Sequence, residues 1–564
     1  MGRKKTRNKA ARLAPAPQRP VPARPNRWPW ICLGLILLFV VVVRVRLLPV
    51  PLERDEGEYA YAGQLILEGI PPYQLVYNVK LPGIYAAYAS LMAIFGQTTF
   101  GIHLGLLFVN LGAVILIFFL AQRLFDNYAA VIASATYALM STSPAVMGSA
   151  AHATHFVILA ALGGFLLLLR GLESRRLLTL FWSGFLFGVS VLMKQHGVFF
   201  GIFAFGLLLL KEFSAQSAVS VGDSPATGLQ NPGAESITNL LPKLRRLAAF
   251  SFGTVVPYAL TCLILWRTGV FDKFWQWTVV YASGHSLRYS FQSLASYFQS
   301  IVGDDFFWGL GAVGFFFLCA DRAIPRWTKG FVAGLFVASF LAVSPGFYFF
   351  PHYFVLMLPA VGLLVGAGCT LVRQKLRRSG LGAFGSIVPA AVFLAGCGMA
   401  ISKHERFHWS YFEGSHVAFV AAPELAHYIS NHSSPASRVA VLGSEPEIYF
   451  YAHRHAASGY IYMYDITSRA VHAPAMKQEM FREIEAAQPE FVLDVHDPFS
   501  WSVGFSPAEQ SIREWLDQYL KSGNYQRVAM AENVAGQIVY RWDADAARNS
   551  PASAFYISVY QRKP

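Results

Sequence analysis

Trp30-Ile-Cys-Leu-Gly-Leu-Ile-Leu-Leu-Phe-Val-Val-Val-Val43, followed by Arg54-Asp55-Glu56-Gly57-Glu58-Tyr59, is the pairing from which the fold can be read. The first stretch, with its flanks, is apolar enough to span a bilayer, so the acids of the second emerge at the membrane surface. Ionisable groups at that depth are costly and mark functional sites. The rest of the chain agrees: of 564 residues, 54% are hydrophobic and only 14% charged, too little polar surface for a soluble globule. This is an integral membrane protein.

The formal charge of +14 does not point to nucleic acid, because of where it lies. Residues 1–27 hold nine Lys and Arg, no acid and many Pro and Ala, which reads as a solvated cytoplasmic tail. The apolar segment that follows, Trp28 to Leu48, is too long for a removable signal peptide and lacks its cleavage site, so it is expected as a retained helix. The five cysteines, Cys32, Cys262, Cys319, Cys369 and Cys397, all sit in apolar segments, and neither a disulfide framework nor metal-ligand spacing is expected.

Counting apolar runs gives about eleven spans: Trp28 to Leu48, Phe100 to Ala121, Tyr128 to Val146, Phe156 to Leu172, Leu178 to Met193, Gly197 to Leu210, Ala248 to Trp266, Phe306 to Ala320, Phe331 to Ser344, His352 to Val372 and Leu381 to Ile401. The loops carrying Arg123, Arg175 with Arg176, Lys243 with Arg245 and Arg246, Arg322 with Arg326, and Arg377 with Arg378 then fall on the side of the basic tail. By the positive-inside rule the N-terminus is expected in the cytoplasm and the C-terminus outside. A Ser, Gly and Pro-rich cytoplasmic insert, 212–242, reads as a flexible linker.

After residue 402 the texture becomes soluble. Arg438 to Ser444, Glu447 to Tyr451, Glu490 to Val495 and Gln537 to Arg541 are expected as strands. Pro423 to His432, Ala475 to Ala487 and Ser511 to Ser522 are expected as amphipathic helices. The alternation predicts a small extracytoplasmic α/β domain over 402–564. No Gly-x-Gly-x-x-Gly follows its first strand, so no nucleotide site is expected.

The first outer loop runs Arg54-Asp55-Glu56-Gly57-Glu58-Tyr59-Ala60-Tyr61, an amphipathic stretch to Gly69, then Pro71-Pro72-Tyr73 and Asn78-Val79-Lys80-Leu81-Pro82-Gly83, and a short apolar helix ending Ile94-Phe95-Gly96. Acids straight after the first span, an interfacial helix and a Lys-x-Pro turn in that order resemble the GT-C superfamily of glycosyltransferases. More narrowly the order resembles the family 39 type, with protein O-mannosyltransferases and lipid A aminoarabinose transferases as relatives. Phe271-Asp272-Lys273-Phe274-Trp275-Gln276-Trp277-Thr278 with Tyr281, and Tyr348-Phe-Phe-Pro351-His352-Tyr353-Phe354, resemble later outer segments of the same family. The resemblance covers 28–401 and implies a polytopic helical bundle with interfacial helices.

It also implies an activity: inverting transfer of a sugar from a polyprenyl-phosphate donor to an extracytoplasmic acceptor (protein, lipid A or envelope glycan) at a bacterial inner membrane. In that chemistry a base takes the acceptor proton, a role the resemblance gives to Asp55. The leaving phosphate needs cations rather than a general acid. Lys80, Lys194, Arg288 and His352 are the cation candidates, with Lys80 foremost at the Lys-x-Pro turn. Tyr59 and Tyr353 offer hydroxyls, Glu56 is a supporting carboxylate, and His285 is a further outer-side candidate. Where relatives carry a second acid, Ala151-His152-Ala153-Thr154-His155 stands here, making His155 a candidate for acceptor or phosphate. No metal ligands are assigned, and dependence on a divalent ion stays open.

Other readings of the same residues remain. Asp55 with Glu58 has the spacing of an acidic capping box. Lys194 also reads as a snorkelling helix end, the histidines as packed groups, and Trp275, Trp277 and Tyr281 as an interfacial anchor. A transporter or flippase of a lipid-linked precursor is the alternative function, though repeated halves and interrupted helices are missing. A sensor or scaffold would account for 402–564 but not for the order of the first loop.

Overall fold

The computed structural model describes residues 27–214, 232–282, 306–382, 384–406, 417–468, 471–501 and 507–563, with a few more between 296 and 303. His285, Arg288, nearly all of the basic tail and most of the 212–242 insert lie outside the described residues.

A helix lies at each of the eleven expected spans. They are α1 (Trp28–Leu47), α4 (Thr99–Leu124), α5 (Asn127–Ser141), α6 (Ala153–Ser174), α7 (Leu177–Met193), α8 (Val198–Ser214) and α9 (Pro232–Arg267), then Phe306–Ala320, Arg326–Val343, Leu358–Arg378 and Phe384–Arg406. Eight of these segments are long and apolar enough to cross a membrane by length and composition; the helices at Asn127–Ser141, Leu177–Met193 and Phe306–Ala320 are shorter. Pro351–Arg378 is the central segment, buried without a break from Phe354 to Leu371, while α1 sits at the periphery.

Two helices of the first outer loop, α2 (Arg54–Leu67) and α3 (Gly83–Phe95), lie outside that set. The amphipathic stretch expected at the interface is here buried from Glu56 to Leu65, because the C-terminal domain covers its other side. Its tyrosines account for this: Tyr59 and Tyr61 face opposite neighbours, Tyr59 packing on Tyr85 and Tyr88 of α3 and Tyr61 on Tyr449. One apolar cluster runs without a break from Tyr59, Tyr85 and Ile102 to Val439, Ile448, Phe491 and Val559. Membrane part and C-terminal domain therefore share a core.

The C-terminal domain is α/β, with a six-stranded sheet in the order β2-β1-β3-β6-β4-β5. β1 (Arg438–Leu442) pairs in parallel with β2 (His455–Ala456) and with β3 (Phe491–His496). β6 (Tyr556–Arg562) runs antiparallel to β3 and to β4 (Tyr525–Val534), which pairs antiparallel with β5 (Gln537–Trp542). The expected strands at 438, 490 and 537 are present, and the three expected helices correspond to Val417–Asn431, Ala473–Ala487 and Pro507–Ser522.

Glu447 to Tyr451 is helical (Glu447–Ala452), not a strand. Parallel neighbours β1 and β2 need a crossover between them, and that demand overrides the strand preference of Ile-Tyr-Phe-Tyr. β4 and β6 were not expected. Gln526-Arg527 breaks the apolar alternation of β4, and a bulge between Arg527 and Ala529 shifts its register.

Candidate active site

Helix α2 starts on a reciprocal cap: the Glu56 backbone N–H donates to Glu53 Oε1 at 3.0 Å, and the Glu53 N–H to Glu56 Oε2 at 3.2 Å. The box is thus Glu53 with Glu56, two residues before the Asp55 and Glu58 spacing seen in the sequence. This frees Asp55 and Glu58, three residues apart and hence on one helix face, to meet something else.

They meet Lys80. Its ammonium donates to Asp55 Oδ1 at 2.7 Å and to Glu58 Oε2 at 2.6 Å. The Lys80 turn is tied on three sides: Tyr73 Oη donates to the Lys80 carbonyl at 2.6 Å, Gln195 Nε2 to the Val79 carbonyl at 2.6 Å, and the Tyr77 N–H to the Gly459 carbonyl at 2.8 Å. Gly83 closes it against α7, where a Cβ would stand 2.5 Å from the Leu192 carbonyl oxygen. Burial works against the Asp55 anion, yet Lys80, His152 and Lys194 hold its carboxyl well below the usual carboxylate range. Lys80 is half-buried, and its two carboxylates raise it above the ordinary lysine value against the cost of desolvation. Burial pushes Glu58 up against the pull of Lys80.

The opposite wall comes from the ends of membrane helices. Lys194, at the end of α7, has its Nζ 4.0 Å above the Tyr353 ring, and among the described residues no carboxylate lies within ion-pair distance of it. Burial lowers it to about 7, against the pull of Asp55. The imidazoles of His152 and His352 stack with ring centres 4.0 Å apart. His152 Nδ1 and His352 Nε2 each lie 3.9 Å from Asp55 Oδ2. Both His152 nitrogens and His352 Nδ1 are buried with no hydrogen-bond partner among the described residues. Burial lowers His152 to about 4, so it is neutral at pH 7.

Asp55, His152 and His352 also present ligand atoms within 4.8 Å of one another. Two imidazoles and a carboxylate suit a divalent transition ion, although the Lys80 ammonium already neutralises that carboxylate. Spacing in the sequence did not reveal this group, because its members come from three separate segments.

The remaining candidates fall elsewhere. Glu56 is consumed structurally, accepting from the Ala151 N–H at 2.5 Å and lying 3.0 Å from His103 Nε2. Tyr59 is buried beneath Lys80, its ring 4.7 Å from the ammonium. His155 lies one turn inside α6, and among the described residues no contact joins it to Asp55, Lys80 or Lys194; its place beside Asp55 is taken by His152. Lys194 is no snorkelling end, since its ammonium turns inward over Tyr353. Trp277 and Tyr281 are buried against Tyr460 and Asp465, so only Trp275 is left to anchor at an interface. Two groups gave no signal in the sequence. Arg44, buried near the end of α1, donates to the carbonyls of Gly148 at 2.6 Å and Ser141 at 3.3 Å and so holds the loop that presents His152. Tyr462 of the C-terminal domain places its ring 5.5 Å from the Lys80 ammonium.

Comparison with known proteins bears on the fold. Residues 80–221 match the family model for dolichyl-phosphate-mannose-protein mannosyltransferase. ArnT from Cupriavidus metallidurans bound to undecaprenyl phosphate superimposes with a TM-score of 0.54 at 15% identity, covering 94% of this chain and 98% of that one. Its apo form gives 0.53 at 15%, covering 94% and 97%. The apo Archaeoglobus fulgidus oligosaccharyltransferase gives 0.51 at 14% identity, covering 94% and 76%. No curated protein sequence matches the chain. At these identities the likeness is one of fold: the chain is a multi-pass membrane protein with the GT-C glycosyltransferase fold that its first loop resembles.

Proposed function

We propose that this protein is an inverting glycosyltransferase that moves a sugar from a polyprenyl-phosphate donor to an extracytoplasmic acceptor, with Asp55 as general base. The observation that carries the reading is the division of charge around Asp55: one lysine, Lys80, committed to two carboxylates, and a second, Lys194, held inward without an anionic partner among the described residues. A lipid-linked phosphate supplies the missing anion. ArnT from Cupriavidus metallidurans, which shares the fold, binds undecaprenyl phosphate.

Lys194 takes the donor phosphate as a movable point charge, and Tyr353 beneath it fixes its height. Lys80, first choice from the sequence, instead orients Asp55. The acceptor hydroxyl or amine attacks the anomeric carbon as the C1–O bond to phosphate breaks. The electron pair leaves on the phosphate, and the acceptor proton passes to Asp55. In the resting site Asp55 is a weak base, because Lys80 first and then Lys194 stabilise its anion. A bound phosphate diverts Lys194 and part of Lys80, so Asp55 becomes more basic when the donor is in place. His152 and His352, neutral rings with free nitrogens, are placed to hydrogen-bond sugar or acceptor hydroxyls.

The orientation that goes with this reading puts the N-terminus in the cytoplasm and the site on the outer face of a bacterial inner membrane, following the basic loops. Purified protein given a labelled polyprenyl-phosphate sugar separates the function classes: transfer supports the enzyme, movement without transfer a flippase, and neither a scaffold. Comparing glycolipids and glycoproteins of a strain lacking the protein with its parent identifies the acceptor.

A further inference from the structure

In open α/β sheets, ligands bind outside the C-terminal ends of parallel strands, at the point where the strand order reverses. Here that point lies between β1 and β3, since the chain leaves β1 for β2 on one side and returns to β3 on the other. The loops at those ends are Gly443-Ser444-Glu445 and Asp497-Pro498-Phe499-Ser500. The crevice between them is filled by a side chain of the membrane domain. Arg54 Nε donates to the Ser444 carbonyl at 2.5 Å, Nη2 to Glu445 Oε1 at 3.1 Å, and Nη1 to the Tyr464 hydroxyl, which in turn donates to the Phe499 carbonyl. Ser500 Oγ donates to the same Glu445 oxygen. Glu445 is fully buried.

Arg54 is the residue before Asp55, and the contact continues along the helix. Tyr462 Oη donates to the Arg54 carbonyl at 3.0 Å, while its ring faces Lys80. Gly57 lies so close to Glu447 that a Cβ would stand 2.6 Å from its Cβ and backbone nitrogen. One turn of α2 thus carries Asp55 toward the membrane helices and Arg54 with Gly57 into the α/β domain.

We propose that the ligand crevice of the C-terminal domain has become a socket for Arg54, and that Arg54 and Glu445 are positioning residues which hold α2 at the rotation that sets Asp55 opposite His152 and Lys194. The domain is then part of the catalytic unit and not a separate module for a soluble ligand. This rests on the reading of Asp55 as base. An error of about 1 Å in the placement of a reacting group costs roughly 100-fold in rate, so small rotations of α2 register in turnover before they register in donor binding.

The test uses full-chain variants and two readouts. One is binding of undecaprenyl phosphate to the purified protein by native mass spectrometry. The other is the initial rate at which the glycan lost on deleting the protein from its host reappears after induction. Glu445→Gln keeps the shape of the socket and removes its charge; Gly57→Ala presses on the Cβ and backbone of Glu447 and pushes helix and domain apart while leaving the Arg54 and Glu445 side chains of the socket unaltered. Both are expected to slow the glycan rate by about 10- to 100-fold with undecaprenyl phosphate binding within about twofold of the parent. Tyr462→Phe, which keeps the ring over Lys80, is expected to slow it less. A parental rate in Glu445→Gln and Gly57→Ala overturns the proposal, as does a loss of rate that only follows a loss of binding. Asp55→Asn separates the two claims: if it is inactive while both socket variants run at the parental rate, only the socket fails; if it is active, the Asp55 reading fails and the socket with it.

Discussion

Replacing Lys194 by Met keeps its stem over Tyr353 and removes the charge assigned to the donor phosphate. A hydrogen bond to a charged group contributes about 1.5–3 kcal/mol, so the variant should bind undecaprenyl phosphate roughly 10- to 150-fold more weakly. Stability should move the other way. Burial holds Lys194 near 7, below its ordinary 10.5, so charging it opposes folding; that penalty is full below about pH 7 and fades as pH rises toward 10.5. Lys194→Met should therefore unfold at a higher temperature than the parent, with a larger gain at pH 6 than at pH 9.

Binding has its own pH signature. The lipid phosphate is dianionic above its second ionisation near 6, so a fall in affinity above about pH 7 reports the loss of the Lys194 proton. Lys194→Arg, which stays charged, should flatten that fall. Titration of detergent-solubilised protein with undecaprenyl phosphate, followed by thermal shift or native mass spectrometry, measures both effects. Affinity unchanged in Lys194→Met, or the same pH profile in Lys194→Arg, refutes the assignment.

Three further outcomes follow from the same geometry. Lys80→Met leaves Asp55 and buried Glu58 without their shared cation and should cost about 3 kcal/mol in thermal or denaturant unfolding at pH 7; because a lowered carboxyl stabilises only above its unfolded value, the gap should narrow as pH falls below about 4. Glu56→Ala removes the Glu56 half of the capping box and leaves the Glu53 and Ala151 N–H groups unpaired, so a loss of about 2–4 kcal/mol is expected, with Glu56→Gln recovering part of it. Gly83→Ala forces the Lys80 turn away from the Leu192 carbonyl at a cost of about 1–3 kcal/mol, and transfer should slow even where the folded fraction is restored by cooling.

The sequence showed most where one physical constraint acts alone. Apolar runs of bilayer length became helices at each expected position, because nothing competes with that pattern. Asp55 and Lys80 were legible as a pair because both lie in one loop of recognisable order, and they meet at 2.7 Å. Legibility ended where residues meet across the fold. His155 was preferred to His152, yet which of two histidines three apart faces Asp55 depends on the loop that Arg44 holds, and Arg44 reads in the sequence only as the end of an apolar run. The capping box that the sequence offers as an alternative at Asp55 and Glu58 lies two residues before that pair, since Asp55-x-x-Glu58 and Glu53-x-x-Glu56 have the same spacing and only the helix start distinguishes them. Tyr462 and Glu445 lie about 390 to 410 residues from the partners they touch, beyond any local pattern.

The central claim is tested most directly by Asp55→Asn. The amide keeps the shape and a hydrogen-bonding oxygen but cannot take the acceptor proton. Purified variant, checked for folding and insertion, is given labelled polyprenyl-phosphate sugar and the acceptor identified from the deletion strain. The account predicts undecaprenyl phosphate binding with transfer lost by at least about 100-fold; transfer at the parental rate would contradict it.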